Sequence, residues 1–164
     1  DVDVIIGART KDLIIFEDKM DKVAKNLYMC TDDGSYGFHG NVTVMLDELV
    51  TNRGMEYDQA IVIGPMIMMK FACLATKKLN IPTIVSLNTI MVDGTGMCGA
   101  CRISIGDDVK FACVDGPEFD GWLVNFDEAM KRQQMFKSEE GRKTLRKQDG
   151  PTHSSPNCQI GGKH

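Results

Sequence analysis

Positive charge is in short supply: 19 Lys and Arg stand against 23 Asp and Glu in 164 residues, a net charge of −4. No Lys/Arg cluster is interleaved with aromatic residues, so nucleic acid is not expected as a partner. Long apolar runs are missing too. The most apolar stretch, residues 60–75, is broken by Gly64, Pro65 and Lys70 and falls short of the roughly 18–20 residues that span a bilayer, so no membrane partner is expected. Histidine is scarce, and His39, His153 and His164 show no spacing to a nucleophile, which argues against a hydrolytic triad. No secretory signal opens the chain. The six cysteines are therefore expected in a reducing compartment, the cytoplasm, where clustered cysteines serve as metal ligands or catalysts. An initiator Met is also missing: Asp1-Val2-Asp3-Val4-Ile5-Ile6-Gly7 reads directly as a strand, as in a fragment of a longer protein.

What is present is an α/β alternation. Residues 2–7 have the β-branched composition of a buried parallel strand, and Thr10 precedes a helical pattern of Leu13, Phe16, Met20, Val23 and Leu27. A second strand at 27–30 leads through Thr31-Asp32-Asp33-Gly34-Ser35 to Val42, Met45, Leu46, Leu49 and Val50, a helical stripe closing at Gly54. The third unit is a strand at 60–63, then Gly64, Pro65 and a helix expected to turn Ile67, Phe71, Leu74 and Ala75 inward. With a fourth strand at 82–87, these steps predict a Rossmann-like, mainly parallel sheet with right-handed crossovers. From Asn88 the pattern changes to a Gly- and Cys-rich loop, a hairpin of residues 102–105 and 109–113, and a loop to Gly121. Asn125 with Glu128 marks a capping box for a helix carrying Phe126, Met130 and Phe136, weakened by Gly141, and the tail after Gln148 reads as irregular.

The chemistry sits in Asp93-Gly94-Thr95-Gly96-Met97-Cys98-Gly99-Ala100-Cys101, followed eleven residues later by Cys113. Thiolates are soft, charged donors for iron and sulfide, and a Cys-x2-Cys step places two sulfurs in one tight turn. The glycines let backbone amides approach the same site. The spacing is that of a plant-type ferredoxin loop with Asp93 in the first ligand place. Zinc is the rival metal, accepting such ligands tetrahedrally, though no His lies near. The bland alternative is a turn of small buried residues. Cys30 and Cys73 fall within strand and helix patterns and read as core, and Cys158 as a free thiol.

Residues 92–102 and 111–121, the latter reading Phe-Ala-Cys-Val-Asp-Gly-Pro-Glu-Phe-Asp-Gly, resemble the electron-transfer subunit family of dihydroorotate dehydrogenase, within the ferredoxin-NADP reductase superfamily. They are closer still to small subunits of the NADH-dependent reduced ferredoxin:NADP oxidoreductase, or sulfide dehydrogenase, type. The resemblance implies a 2Fe-2S centre on Asp93, Cys98, Cys101 and Cys113. It also implies NAD(P) contacts from three strand-end segments: Arg9 on the adenosine side, Asp32, Asp33, Gly64 and Met66 bordering the nicotinamide half, and Thr31 and Pro65 as further cofactor-binding residues of the same segments. Loops at the carboxyl ends of parallel strands, and a helix start such as Gly64-Pro65, suit a phosphate-bearing ligand. That family's flavin-binding barrel and the Gly-rich loop after its first nucleotide-domain strand have no counterpart here, so FAD is expected only in the complete subunit.

The expected organisation is a nucleotide-binding reductase domain at 1–88, incomplete at its N-terminus, a cluster lobe at 89–124, and a helix with tail at 125–164. The resulting expectation is the C-terminal part of a flavin-dependent NAD(P)H oxidoreductase subunit, inactive alone. It would pass electrons through the cluster to a larger iron-sulfur/flavin partner subunit or ferredoxin. The alternative is a zinc-shaped interaction module without redox activity.

Overall fold

Val4, Ile5 and Ile6 lie in the first strand of the computed structural model, which describes residues 1–148. This strand, β1 (Asp3–Ala8), pairs in parallel with β2 (Asn26–Thr31), and β3 (Phe38–His39) joins β2 in parallel. Between β1 and β2 the expected long amphipathic helix does not form. Lys11–Leu13 is a single 3-10 turn, Phe16 adopts φ +62°, and the helix α1 is confined to Glu17–Asp21. Leu13, Phe16 and Val23 are all more than half exposed; a left-handed residue interrupts the helical path, so the sequence stripe never becomes one face.

After β2, Asn41 accepts from the Thr43 and Val44 amides and starts α2 (Val42–Asp47), which continues as a π-helical turn over Glu48–Asn52. Gly54 follows at φ +66°, the left-handed stop expected of it. Cys30, Met45 and Leu49 form a small core here, against which Ile5, Tyr28 and Val42 pack. A Cβ on Gly7 would collide with Val42, so this glycine allows α2 to lie on β1.

The second half has β4 (Ala60–Ile63), α3 (Met66–Lys78) and β5 (Thr83–Ser86), with β4 and β5 parallel. The face of α3 is the reverse of the expected one. Met66, Met69, Ala72, Cys73 and Thr76 are buried, whereas Ile67, Phe71 and Leu74 are about half exposed and Ala75 is partly buried. The helix is apolar on both sides, so periodicity alone admitted two solutions, and packing selected the methionine and small-residue side. Full burial of Met69, as of Leu49, contributes about 1.5–3 kcal/mol each.

A hairpin of β6 (Arg102–Ile105) and β7 (Asp108–Phe111) follows, then a helical turn α4 (Ala112–Asp115) and β8 (Glu118–Asp120). The second strand of the hairpin therefore stops short of Cys113, which belongs to α4. β8, in a segment whose composition reads as loop, runs antiparallel to β5 and ties the hairpin lobe back to the sheet. The described strands outside the hairpin stand as two three-stranded sheets, the parallel β1-β2-β3 and the mixed β4-β5-β8, rather than one. The helix expected from Asn125 divides into α5 (Phe126–Arg132) and α6 (Lys137–Gln148). The Asn125 side chain accepts from the Glu128 amide, the predicted cap. Phe126 and Ala129 bury against Ile103, Val85 and Met69. The expected irregular tail, with Cys158, His153 and His164, lies outside the described residues. No described helix is long and apolar enough to cross a membrane.

Candidate metal centre

Hairpin register explains the eleven-residue gap between Cys101 and Cys113. It consists of two four-residue strands, the Gly106-Asp107 turn and Ala112. Gly106, at φ +58°, supplies the positive-φ first position that a two-residue hairpin turn accepts. Because Arg102 pairs with Phe111, and the Ala112 amide donates to the Cys101 carbonyl at 3.2 Å, the two cysteines flank the open end of the hairpin. Their sulfurs meet at 3.3 Å, with Cys101 buried and Cys113 partly exposed.

The loop between β5 and β6 brings the other two candidates together. Asp93 accepts from the Thr95 amide through Oδ1 and from the Cys98 amide through Oδ2, both at 2.9 Å. These contacts, the Thr95 amide foremost, hold the Asp93 carboxyl below its usual range. Gly94, Gly96 and Gly99 all have left-handed φ, between +67° and +82°, which a side-chain-bearing residue would adopt only with strain. The Ala100 amide donates to Cys98 Sγ at 3.5 Å. Cys113 is pushed up by its hydrogen bond with Cys101, against the downward pull of the Gly96 backbone N–H.

The four side chains thus stand as two pairs, Asp93 with Cys98 and Cys101 with Cys113. Among the described residues no group of three or more ligating side chains converges, since Asp93 is turned to its own loop amides. The donor set nevertheless fits an iron-sulfur group. Two thiolates bound at about 2.3 Å to one tetrahedral metal stand roughly 3.8 Å apart, close to the Cys101–Cys113 separation. Amides already directed at Cys98 and Cys113 are the hydrogen bonds a sulfur-rich group needs.

The candidate nucleotide residues divide between the two sheets. Arg9, Asp32 and Asp33 are exposed at the joined ends of β1 and β2: the Asp33 amide donates to the Arg9 carbonyl, and the Lys11 amide to Ser35 Oγ. Ser35 in turn bonds Asp33 and holds its carboxyl low. Thr31 is fully buried, its hydroxyl engaged with the Tyr36 backbone, so it shapes the loop. Gly64, Pro65 and Met66 lie at the end of β4; the Met66 side chain is in the core, leaving its amide at the start of α3. No side chain caps that start, so its amides are free of an intrahelical partner.

Sequence reasoning missed two residues at the end of α5. Arg132 Nη2 donates to the Gly99 carbonyl at 2.7 Å, and Gln133 Nε2 to the Asn88 carbonyl at 3.0 Å. No local signal marks them, since a cation in a last helical turn reads as a response to the helix dipole.

Residues 88–125 match the model of the iron-sulfur cluster binding domain of dihydroorotate dehydrogenase B. The chain is 63% identical over 161 residues to a Clostridium beijerinckii protein known as the uncharacterized protein in the adh 3′ region, covering 98% of this chain and 54% of that one. It is 46% identical over 139 residues to the Thermotoga maritima dihydroorotate dehydrogenase B (NAD(+)) electron transfer subunit homolog, covering 85% and 48%. A structure solved for the NADH-dependent reduced ferredoxin-NADP oxidoreductase, in a study of flavin-based electron bifurcation, superposes with a TM-score of 0.78. It is 43% identical, over 90% of this chain and 52% of that one. The chain therefore spans about half the length of the relatives it matches.

Proposed function

Since the chain belongs with the dihydroorotate dehydrogenase B electron transfer subunits and carries their iron-sulfur cluster binding domain, we propose that it is the C-terminal part of a flavin-dependent NAD(P)H oxidoreductase subunit. Its role is to conduct electrons between NAD(P)H/FAD and a larger partner subunit or ferredoxin by way of a 2Fe-2S cluster. The observation that carries this reading is the meeting of Cys101 and Cys113 beside the Asp93–Cys98 pair in an amide-lined loop.

When bound, a 2Fe-2S group accepts and releases one electron at a time. Cys98, Cys101 and Cys113 as thiolates, with the Asp93 carboxylate, would hold it. The hairpin fixes Cys101 against Cys113, and the β5–β8 pairing fixes the hairpin against the sheet. At the sheet end, Arg9 offers a charge to a nucleotide phosphate, Asp32 and Asp33 offer acceptors, and the free amides at the start of α3 from Met66 onward suit a pyrophosphate. The division into 1–88, 89–124 and 125–164 is supported by the family match over 88–125. Among the described residues β1 and β4 each have one unpaired edge, and Ile61 and Ile63 are about two-thirds exposed. These features suit the remaining half of a longer subunit, where FAD would bind.

Anaerobic reconstitution with iron and sulfide tests the reading. The expected result is about two irons per chain, visible charge-transfer bands bleached by dithionite, and an EPR signal on reduction, all lost in Cys98→Ser. Zinc in place of iron, or no metal uptake, would falsify it.

A further inference from the structure

Consecutive residues of the α5 terminus grip both ends of the cluster loop. Arg132 reaches the Gly99 carbonyl, inside the Cys98–Cys101 turn, while Gln133 Nε2 reaches both the Asn88 carbonyl and, at 3.3 Å, its side-chain oxygen. The helix presenting them is itself anchored. Asn125 caps it, Phe126 and Ala129 sit in the core, Asp127 pairs with Lys70 of α3 at 2.7 Å, and Glu128 accepts from Ser104 of β6.

Arg132 differs from Gln133 in charge. Its Nε is buried without a hydrogen-bond partner, and among the described residues no carboxylate forms an ion pair with it. A guanidinium keeps its proton in proteins. A positive charge with no ion-pair partner among the described residues therefore lies against the Gly99 carbonyl, one residue from Cys98.

We propose that Arg132 is a positioning and tuning residue of the iron-sulfur site: its Nη2 donor holds the Cys98–Cys101 turn, and its charge raises the reduction potential of the group held there. Gln133 is the neutral counterpart that fixes the other end of the loop without tuning. The inference rests on the assignment of Asp93, Cys98, Cys101 and Cys113 as ligands. Reduction adds one electron, delivered in the test by dithionite, so the guanidinium charge favours the more negative, reduced state.

The test is a redox titration of the full chain, reconstituted anaerobically with iron and sulfide and followed by visible absorbance and EPR, alongside iron loss to a chelator. Arg132→Met is expected to shift the oxidised-to-reduced ratio at a given potential about tenfold toward oxidised, a midpoint lower by about 59 mV for a one-electron couple. Arg132→Lys keeps the charge and is expected to keep the midpoint while losing iron faster, and Gln133→Ala to lose iron faster at the parent midpoint. Should Arg132→Met hold no cluster, Arg132→Gln, which keeps a donor but not the charge, carries the same expectation. A midpoint equal to the parent's in the uncharged variant, or an equal fall in Arg132→Lys, overturns the proposal. Failure of the parent itself to take up iron overturns the ligand assignment instead.

Discussion

Thr83 of β5 donates its hydroxyl proton to Thr76 of α3 at 2.6 Å, with both side chains buried. Thr76 passes its own proton to the Cys73 carbonyl, and the Trp122 indole N–H approaches the same oxygen at 3.4 Å. One hydroxyl thus joins the parallel sheet, its helix and the segment leading to α5. Thr76→Val keeps the shape and removes this acceptor, so a loss of about 1–2 kcal/mol is expected. Denaturant midpoints check it, with the emission of Trp122, the sole tryptophan, expected to shift; no change in either would show the pair to be energetically idle.

Ligand substitutions should sort by chemistry. Cys101→Ser and Cys113→Ser are expected to abolish cluster retention, because a hydroxyl is a poor donor to iron. Asp93→Cys is expected to retain the cluster at a lower reduction potential, as a softer, more electron-donating thiolate favours the oxidised form. Iron analysis and redox titration of the three variants decide the matter; an unaltered potential in Asp93→Cys would remove Asp93 from the ligand set.

Alkaline pH should weaken the fold through two buried thiols. Burial, then the Asp32 charge, pushes Cys30 up to about 11 from 9.0; burial, then Asp120, pushes Cys73 up to about 11. The folded state holds these protons more tightly than the unfolded chain. The stability they add is therefore complete below pH 9 and is lost as pH rises from 9 to 11. Allowing for partial screening, each contributes about 1–2 kcal/mol. Urea midpoints at successive pH values should fall across this window, and more gently in Cys30→Ala and Cys73→Ala. Parallel curves for parent and variants would refute the assignment.

Asn125→Ala should act at a distance. The lost cap costs about 1 kcal/mol and frays the start of the helix that carries Arg132 and Gln133. Thermal unfolding should show the loss, and iron release to a chelator should quicken. Faster unfolding with unchanged iron release would mean that the loop holds itself without α5.

Local chemistry was legible from the chain alone. Asp93, Cys98 and Cys101 share one loop through short spacing and intervening glycines, and Gly54 and Asn125 announce a helix end and start in single residues. Strand runs of β-branched residues were equally readable, because such side chains favour the pleated strand; the burial expected of residues 2–7 was not, since β1 holds no fully buried residue. Tertiary structure decided what spacing cannot encode. The inward face of α3 depended on which neighbours compete for an all-apolar helix, and β8 formed because the open edge of β5 accepted a segment whose residues look like loop. The approach of Arg132 to Gly99 spans 33 positions, and it exists only because Phe126 and Ala129 bury α5 against the sheet. Burial is a property of partners far apart in sequence, so no window along the chain contains it.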